Sequence, residues 1–151
     1  MSRTFTSLDD VRAAIGEEIG PGPSLVIDQD RINQFADATG DHQWIHVDVE
    51  KATAGPFGAP IAHGYLTLSL IPFLGSSLLN LDFGAAKINY GANKVRFPSP
   101  VPVGSSLSAT VTVTDVAESP AGAVLTLKYV VTAEGAAKPA CVAETLVLVA
   151  G

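Results

Sequence analysis

Cysteine and positive charge are both scarce in this chain. Cys141 is the only cysteine among 151 residues, so no disulfide can form within the chain, and this composition is typical of a reducing compartment. Nine lysines and arginines stand against fifteen acidic residues, which gives a formal net charge of −6. Because nucleic-acid phosphates require a basic surface, this balance argues against a nucleic-acid partner.

The sequence also has little charge of either sign and no hydrophobic run of membrane-spanning length. Residues 52–81 contain no charged side chain, but three prolines interrupt them and only about residues 65–79 are truly apolar. A bilayer requires ~20 residues, so this segment predicts a helix buried in the protein core. With no signal peptide visible after Met1, we expect a cytoplasmic protein that does not bind membranes. A mean hydropathy of +0.32 further predicts apolar surface buried in a homodimer.

Helix signals dominate the first third of the chain. Ser7 supplies a hydroxyl N-cap and acidic residues follow it, which predicts a helix reaching residues 11–15. Asp28 predicts the start of a second helix, and Gly40 predicts its end. Asp41 is therefore expected in an irregular segment just past a helix, where catalytic groups are often found.

Period-two alternation replaces the helical spacing in the second half. Strands are predicted near residues 87–97, 107–114, 125–132 and 140–149, with turn signals between them and a bulge at Gly91. Four strands joined by short turns must be largely antiparallel. The sequence thus predicts an α+β chain with one domain over residues 1–151, its sheet covered on one face by the apolar helix.

Two short segments carry the chemistry of this sequence. Residues 40–48 contain a carboxylate, Asp41, and an imidazole five positions later, His46, while residues 61–64 end in Gly64 at the start of the apolar helix. These groups supply a proton acceptor, a proton donor and a backbone N–H for a developing negative charge. Singly, Asp41 could close a turn and His46 could be a structural donor; the combination favours catalysis.

This pattern resembles the MaoC-like dehydratases, and in particular the signature of their (R)-specific enoyl-CoA hydratases, the hydratase 2 type. In that signature Gly-Asp, a short polar turn and His precede a small residue, and here Ala52 follows His46 by six positions. The resemblance covers nearly the whole chain and implies a single hot-dog domain, an antiparallel sheet wrapped round a central apolar helix. The chain departs from the family at Gln43-Trp44, where Asn-Pro is usual, and at Pro72, where some relatives have a serine.

The resemblance implies a cofactor-independent hydro-lyase that reversibly hydrates trans-2-enoyl-CoA to (3R)-3-hydroxyacyl-CoA. Asp41 and His46 would hold one water, and the Gly64 N–H would polarise the thioester oxygen. Three alternatives remain open: the same chemistry on acyl carrier protein, as a dehydratase of fatty-acid synthesis, a hot-dog thioesterase, and a non-catalytic binder of acyl thioesters. Family members pair so that their sheets run together.

The segment from Asn93 to Gly104 also resembles the family, in which a strand ends in a basic-aromatic-proline turn. Arg96 could contact the phosphates of coenzyme A, or it could be an ordinary exposed strand charge. Asn93 could face the acyl chain or the water. Both are therefore candidate substrate-binding residues.

A metal site is the competing use of these histidines. His42 and His46 lie four residues apart, as zinc ligands on one helix would. Because residues 43–45 give no helix signal, we expect no metal. His63 is interpreted as a structural residue that ties the loop to the helix start, and Tyr65 and Phe73 are expected in the core.

Overall fold

The computed structural model of the chain describes residues 2–151. In chain order its elements are β1 (Arg3–Phe5), α1 (Leu8–Ala13), β2 (Glu18–Ile19), β3 (Leu25–Val26), α2 (Gln29–Thr39), α3 (Trp44–Val47), α4 (Val49–Thr53), α5 (Gly64–Ser69), α6 (Ile71–Gly75), β4 (Leu79–Leu81), β5 (Ala86–Arg96), β6 (Ser106–Ser119), β7 (Gly122–Ala133) and β8 (Cys141–Ala150). The predicted α+β class is confirmed.

The first helices begin and end where their capping residues predict. The Ser7 side chain accepts a hydrogen bond from the backbone N–H of Asp10, at the start of α1. The Asp28 carboxylate accepts one from the N–H of Arg31, at the start of α2. Gly40 ends α2 with a φ of 84°, a left-handed conformation that glycine adopts without strain.

The four long strands form the predicted antiparallel sheet. Its strand order is β2-β6-β7-β8-β5, and β3 also pairs with β6. The β5–β8 register shifts between Asn89 and Gly91, so the predicted bulge is confirmed, and it shifts again between Ala92 and Lys94. A separate short pair, β1 with β4, is parallel and gave no signal in the sequence.

The core lies between the sheet and the apolar segment. Alternate residues of β6, from Leu107 to Val113, are buried, and Leu66, Leu70 and Leu74 of the α5–α6 segment pack in the same cluster. This arrangement wraps the sheet round the helical segment. None of the described helices combines the length and apolar character that a bilayer crossing demands.

The central helix is interrupted near Pro72, and the burial of two of its aromatic residues differs from the prediction. It is split into α5 and α6 around Leu70, just before Pro72, whose ring and missing N–H prevent a regular continuation. Tyr65 and Phe73 were expected in the core, and this expectation was wrong: 70% and 59% of their surfaces are exposed. Apolar character alone therefore did not predict whether these two side chains are buried.

Strand β5 is the exposed edge of the sheet. Among the described strands it pairs with β8 alone, and every residue of it except Val95 is exposed. Ile88 and Tyr90 are large apolar members of this strand, 46% and 61% exposed. A long, apolar and unpaired edge is open to pairing with another chain.

Candidate active site

His46 is held by a short helix that the sequence did not reveal. Residues 43–45 were expected to lack helical structure, but Trp44–Val47 form the single turn α3, and the N–H of His46 donates a hydrogen bond of 3.0 Å to the carbonyl of Gln43. Asp48 then caps α4 by accepting a hydrogen bond from the N–H of Lys51. A single turn is stabilised by packing, which explains the missing propensity signal.

The imidazole of His46 is buried and its tautomer is fixed by a backbone carbonyl. Nδ1 lies 2.7 Å from the carbonyl oxygen of Ile61. Since a carbonyl only accepts, Nδ1 carries the proton, and in the neutral ring Nε2 keeps a free lone pair. Burial lowers the pKa of His46 and His63 lowers it further, while the Ile61 carbonyl and Asp41 oppose this effect without reversing it. The neutral ring can therefore act as a proton acceptor near neutral pH.

The carboxylate of Asp41 lies beside this imidazole. Asp41 follows the left-handed Gly40, and its Oδ1 accepts a hydrogen bond of 3.4 Å from the N–H of Gln43. This is the turn contact that the sequence allowed as an alternative. The same residue also belongs to a cluster with His46 and His63, whose potential ligand atoms all lie within 4.8 Å of one another. The turn contact and the cluster thus coexist in the structure.

Gly64 begins α5 at the wall of the cavity that contains His46. This cavity of about 320 Å³ is also lined by Thr67, Phe97 and Val101. As the first residue of a helix, Gly64 has an N–H without an acceptor inside the helix. A Cβ at this position would lie 3.1 Å from Cδ2 and Cε2 of Phe97, so glycine keeps this wall open. His46 and Gly64 therefore share one cavity.

The two candidate substrate-binding residues of β5 lie elsewhere. Asn93 and Arg96 are both exposed, and neither lines the cavity that contains His46. Arg96 donates a hydrogen bond to the carbonyl of Val95 and directly precedes Phe97, which does line that cavity. Their assignment to substrate stays a prediction.

A larger cavity of about 860 Å³ lies further along the central helical segment. Leu68, Pro72, Tyr90, Tyr129 and Leu146 contribute to its walls, whereas His46 and Gly64 do not. It is bounded by the exposed strand β5, so one wall of this cavity is the uncovered edge of the sheet.

The histidine pair considered for zinc is not assembled. His42 is exposed and its Nε2 lies 2.9 Å from Oδ1 of Asp37, a contact that raises the pKa of His42. The remaining cluster contains His46 and His63, whose rings stack with centroids 3.8 Å apart and planes 23° apart. The lone pair of an imidazole nitrogen lies in the plane of its ring. Two stacked rings therefore cannot both direct a lone pair at one zinc ion ~2.1 Å from each nitrogen, and the cluster is a poor zinc site. That catalysis needs no metal stays a prediction.

Two features of the site could not be recognised in the sequence. The side chain of Gln29, at the start of α2, donates a hydrogen bond of 2.8 Å to the carbonyl of His46. Thr67 of α5 is fully buried at the wall of the His46 cavity. Both follow from how α2 and α5 pack around α3, which local spacing does not encode.

Comparison with known proteins shows to which family this chain belongs. The sequence model of the family described as "MaoC like domain" matches residues 10–135 of this chain. The chain belongs to this family. It is 53% identical over 146 residues to the 3-hydroxyacyl-thioester dehydratase Z of Mycobacterium tuberculosis, covering 96% of this chain and 97% of the relative. It is 46% identical over 111 residues to nodulation protein N of Rhizobium meliloti, covering 72% and 69% of the two chains.

Solved structures agree with this membership. The (R)-hydratase from A. caviae superposes with a TM-score of 0.72 at 27% identity, over 89% of this chain and 96% of its own. The hot-dog fold expected from the sequence is therefore confirmed. As a MaoC-like dehydratase, the protein is a hydro-lyase.

Proposed function

We propose that this MaoC-like dehydratase catalyses the reversible, (R)-specific hydration of trans-2-enoyl-CoA to (3R)-3-hydroxyacyl-CoA. The observation that carries the proposal is the buried imidazole of His46, whose Nδ1 faces the Ile61 carbonyl. Its Nε2 lone pair is left free by the Nδ1–H···Ile61 bond, and the Asp41 carboxylate lies in the same cluster. A base and a carboxylate whose potential ligand atoms lie within 4.8 Å of each other can hold one water between them.

In the proposed reaction Asp41 orients the water and the Nε2 of His46 accepts its proton. The water oxygen forms a bond to the β-carbon while the electrons of the double bond move towards the thioester, whose oxygen gains negative charge. The Gly64 N–H stabilises this oxygen. The imidazolium, stabilised by the Asp41 carboxylate, then returns the proton to the α-carbon. Because one residue pair delivers both groups, they arrive on one face and the addition is syn.

Hydration of crotonyl-CoA tests this function. The absorbance of the enoyl thioester should fall without release of free thiol, and a (3R)-specific dehydrogenase should oxidise the product. In heavy water, deuterium should enter a single α position. Thiol release would instead identify a thioesterase, and binding without either change would identify a non-catalytic acyl-thioester binder. A (3S) product would contradict the shared face of Asp41 and His46.

Asp41→Asn tests the role of the carboxylate. It should lower kcat by ~10²–10⁴ while the unfolding temperature stays close to that of the wild type, because Asp41 is exposed. Because Asp41 and His46 act on the same water, adding His46→Asn should make the enzyme little worse than either single variant. Near-normal turnover of a pure Asp41→Asn enzyme would remove Asp41 from the mechanism.

The charge along the β5 segment of the sequence supports a role for Arg96 with the anionic part of coenzyme A. Residues 83–114 contain no acidic side chain but include Lys87, Lys94 and Arg96, in a chain whose net charge is −6. Guanidinium groups bind phosphates strongly. Arg96→Gln should raise KM for crotonyl-CoA and leave KM for crotonyl-pantetheine, which lacks the nucleotide, unchanged. An equal effect on both substrates would refute this contact.

The neighbouring Asn93 is proposed to contact the substrate from the second register shift of β5, between Ala92 and Lys94. Asn93→Ala should then raise KM for both crotonyl-CoA and crotonyl-pantetheine. An unchanged KM for both thioesters would remove Asn93 from the binding site.

A carrier-protein substrate is the second candidate function. The relative of 53% identity is named a 3-hydroxyacyl-thioester dehydratase, a name that does not specify the carrier. Comparing kcat/KM for the same acyl group on coenzyme A and on acyl carrier protein decides between them. A strong preference for the carrier-protein thioester would assign the enzyme to the dehydration step of fatty-acid synthesis.

The proposed functional unit is a homodimer of one-domain chains. Buried residues from Phe5 to Val149 join one core within the chain, which supports a single domain over residues 1–151. The exposed edge strand β5, with Ile88 and Tyr90, supports pairing with a second copy. Light scattering at micromolar concentration should give twice the chain mass of 15.5 kDa. An active monomer would refute the dimer.

A further inference from the structure

His63 is the one buried side chain of the catalytic cluster to which the proposed reaction gives no role. It is only 2% exposed, and its Nε2 lies 2.9 Å from the backbone carbonyl oxygen of Asp41. A carbonyl only accepts, so Nε2 carries the proton and donates this bond. His63 is thereby joined to a residue 22 positions earlier in the chain.

The faces of the His63 ring make further contacts. The ring of His46 stacks against it at a centroid distance of 3.8 Å, and the ring of Phe35 contacts it at 4.9 Å with a tilt of 56°. Phe35 belongs to α2 and His46 to α3, while His63 directly precedes α5. The imidazole of His63 therefore connects the three helices that carry the cluster.

The Nδ1 of His63 adds an argument against a purely structural role. This atom is buried and has no hydrogen-bond partner among the described residues. A buried polar atom without a hydrogen-bond partner costs about 1–3 kcal/mol of stability. A side chain selected for stability alone would therefore not place such an atom here. A planar ring that both stacks on an imidazole and donates from Nε2 is specific to histidine among residues of this size.

We propose that His63 is a positioning residue for hydration, which fixes the backbone of Asp41 through Nε2–H and the imidazole of His46 through its ring face. The proposal rests on the proposed function of that pair. Its physical reason is that one water must meet both the carboxylate and Nε2 of His46, and an error of 1 Å in such an arrangement can cost ~10²-fold in rate.

Two substitutions separate the donor from the ring. His63→Phe keeps a ring against His46 and removes the bond to Asp41; it should lower kcat about 10²-fold with KM nearly unchanged. His63→Gln retains an amide donor in the region of Nε2 and should restore part of the lost kcat. His42→Phe is the matched control, since His42 is exposed and pairs with Asp37; its kcat should equal that of the wild type.

A folded His63→Phe enzyme with wild-type kcat would overturn the proposal. So would a fall in kcat that only matches the loss of folded protein, or a His63→Gln enzyme no faster than His63→Phe. Each variant is therefore compared at equal concentration of folded enzyme, measured by thermal unfolding.

A measurement without substrate keeps this proposal distinct from the proposed function. Long-range proton–nitrogen NMR should show the Nε2–H tautomer for His63 and the Nδ1–H tautomer for His46. In His63→Phe the backbone order parameter of Asp41 should fall while that of Asp28 stays constant. An Nδ1–H tautomer of His63, or an unchanged Asp41, would refute the positioning role even in an active hydratase. If crotonyl-CoA is not hydrated but these NMR results hold, the proposed function fails and the positioning of Asp41 stands.

Discussion

Two amide substitutions of His46 separate its chemistry from its structural bond. An asparagine places its amide nitrogen near the position of Nδ1, whereas a glutamine places it near Nε2. His46→Asn can therefore keep the bond to the Ile61 carbonyl, which is 2.7 Å long in the wild type, while it removes the basic Nε2. His46→Gln removes the base as well and leaves the Ile61 carbonyl without its donor.

The two variants should lose similar rates and different amounts of stability. Loss of a general base typically lowers the rate by ~10²–10⁴, and an amide cannot replace an imidazole in this role. Leaving the carbonyl of the buried Ile61 unpaired should cost His46→Gln about 1–3 kcal/mol more than His46→Asn. In a chain of this size, each kcal/mol lowers Tm by roughly 2–4 °C.

Initial rates with crotonyl-CoA and thermal unfolding curves measure both quantities on the same preparations. We expect both rates to be near the detection limit, with the Tm of His46→Gln clearly below that of His46→Asn. A folded His46→Asn enzyme within tenfold of the wild-type rate would show that Nε2 is not the base. Equal Tm values for the two variants would show that the Ile61 bond contributes nothing.

Four further expectations concern pH, metals and Gly64. Because burial lowers the pKa of His46 from its usual 6.5, the acid-side midpoint of the pH profile of kcat/KM should lie below pH 6.5; a midpoint at higher pH would contradict a neutral base. A Cβ on Gly64 would lie 3.1 Å from the Phe97 ring and would shift the backbone N–H that is proposed to bind the thioester oxygen, so Gly64→Ala should lower kcat by up to ~10²–10³. Gly91→Ala, whose Cβ would lie 3.8 Å from its nearest neighbour, should fold normally. Burial raises the pKa of Tyr129 to about 12, so as the pH rises this tyrosine ionises in the unfolded chain before it ionises in the folded one. The free energy of unfolding should therefore decline from about pH 10 upwards, and it should decline less steeply in Tyr129→Phe. Activity should survive chelation; loss of activity that one metal restores would establish a metal site.

The sheet could be predicted because one of its faces is buried. Along β6, alternate residues from Leu107 to Val113 are buried between threonines and serines, so the period of two in the sequence is the period of burial itself. The same holds for β7. Strand β5 was also predicted, but the exposure of both its faces was not. Exposure depends on which strands and helices pack beside β5, and the sequence of β5 does not specify these neighbours.

The candidate site could be predicted only in part. Asp41, His46 and Gly64 stood out by spacing, and the structure brings the first two into one cluster and the last two into one cavity. The bond from His46 to the Ile61 carbonyl and the stacking on His63 join residues 15 and 17 positions apart. Such contacts depend on how α2, α3 and α5 pack, and no local pattern encodes that packing.

The position of Trp44 gives this enzyme an intrinsic optical reporter. It is the only tryptophan in the chain and lies in α3, two residues before His46. Its ring is in contact with the ammonium group of Lys51, 4.8 Å from the ring centroid, and a Cβ on Gly55 would lie 2.9 Å from its edge. Its emission therefore originates beside the imidazole of His46 and nowhere else. In a His46→Asn enzyme that does not turn over, as we expect, a fluorometer can follow the binding of an unlabelled thioester before any bond is made or broken.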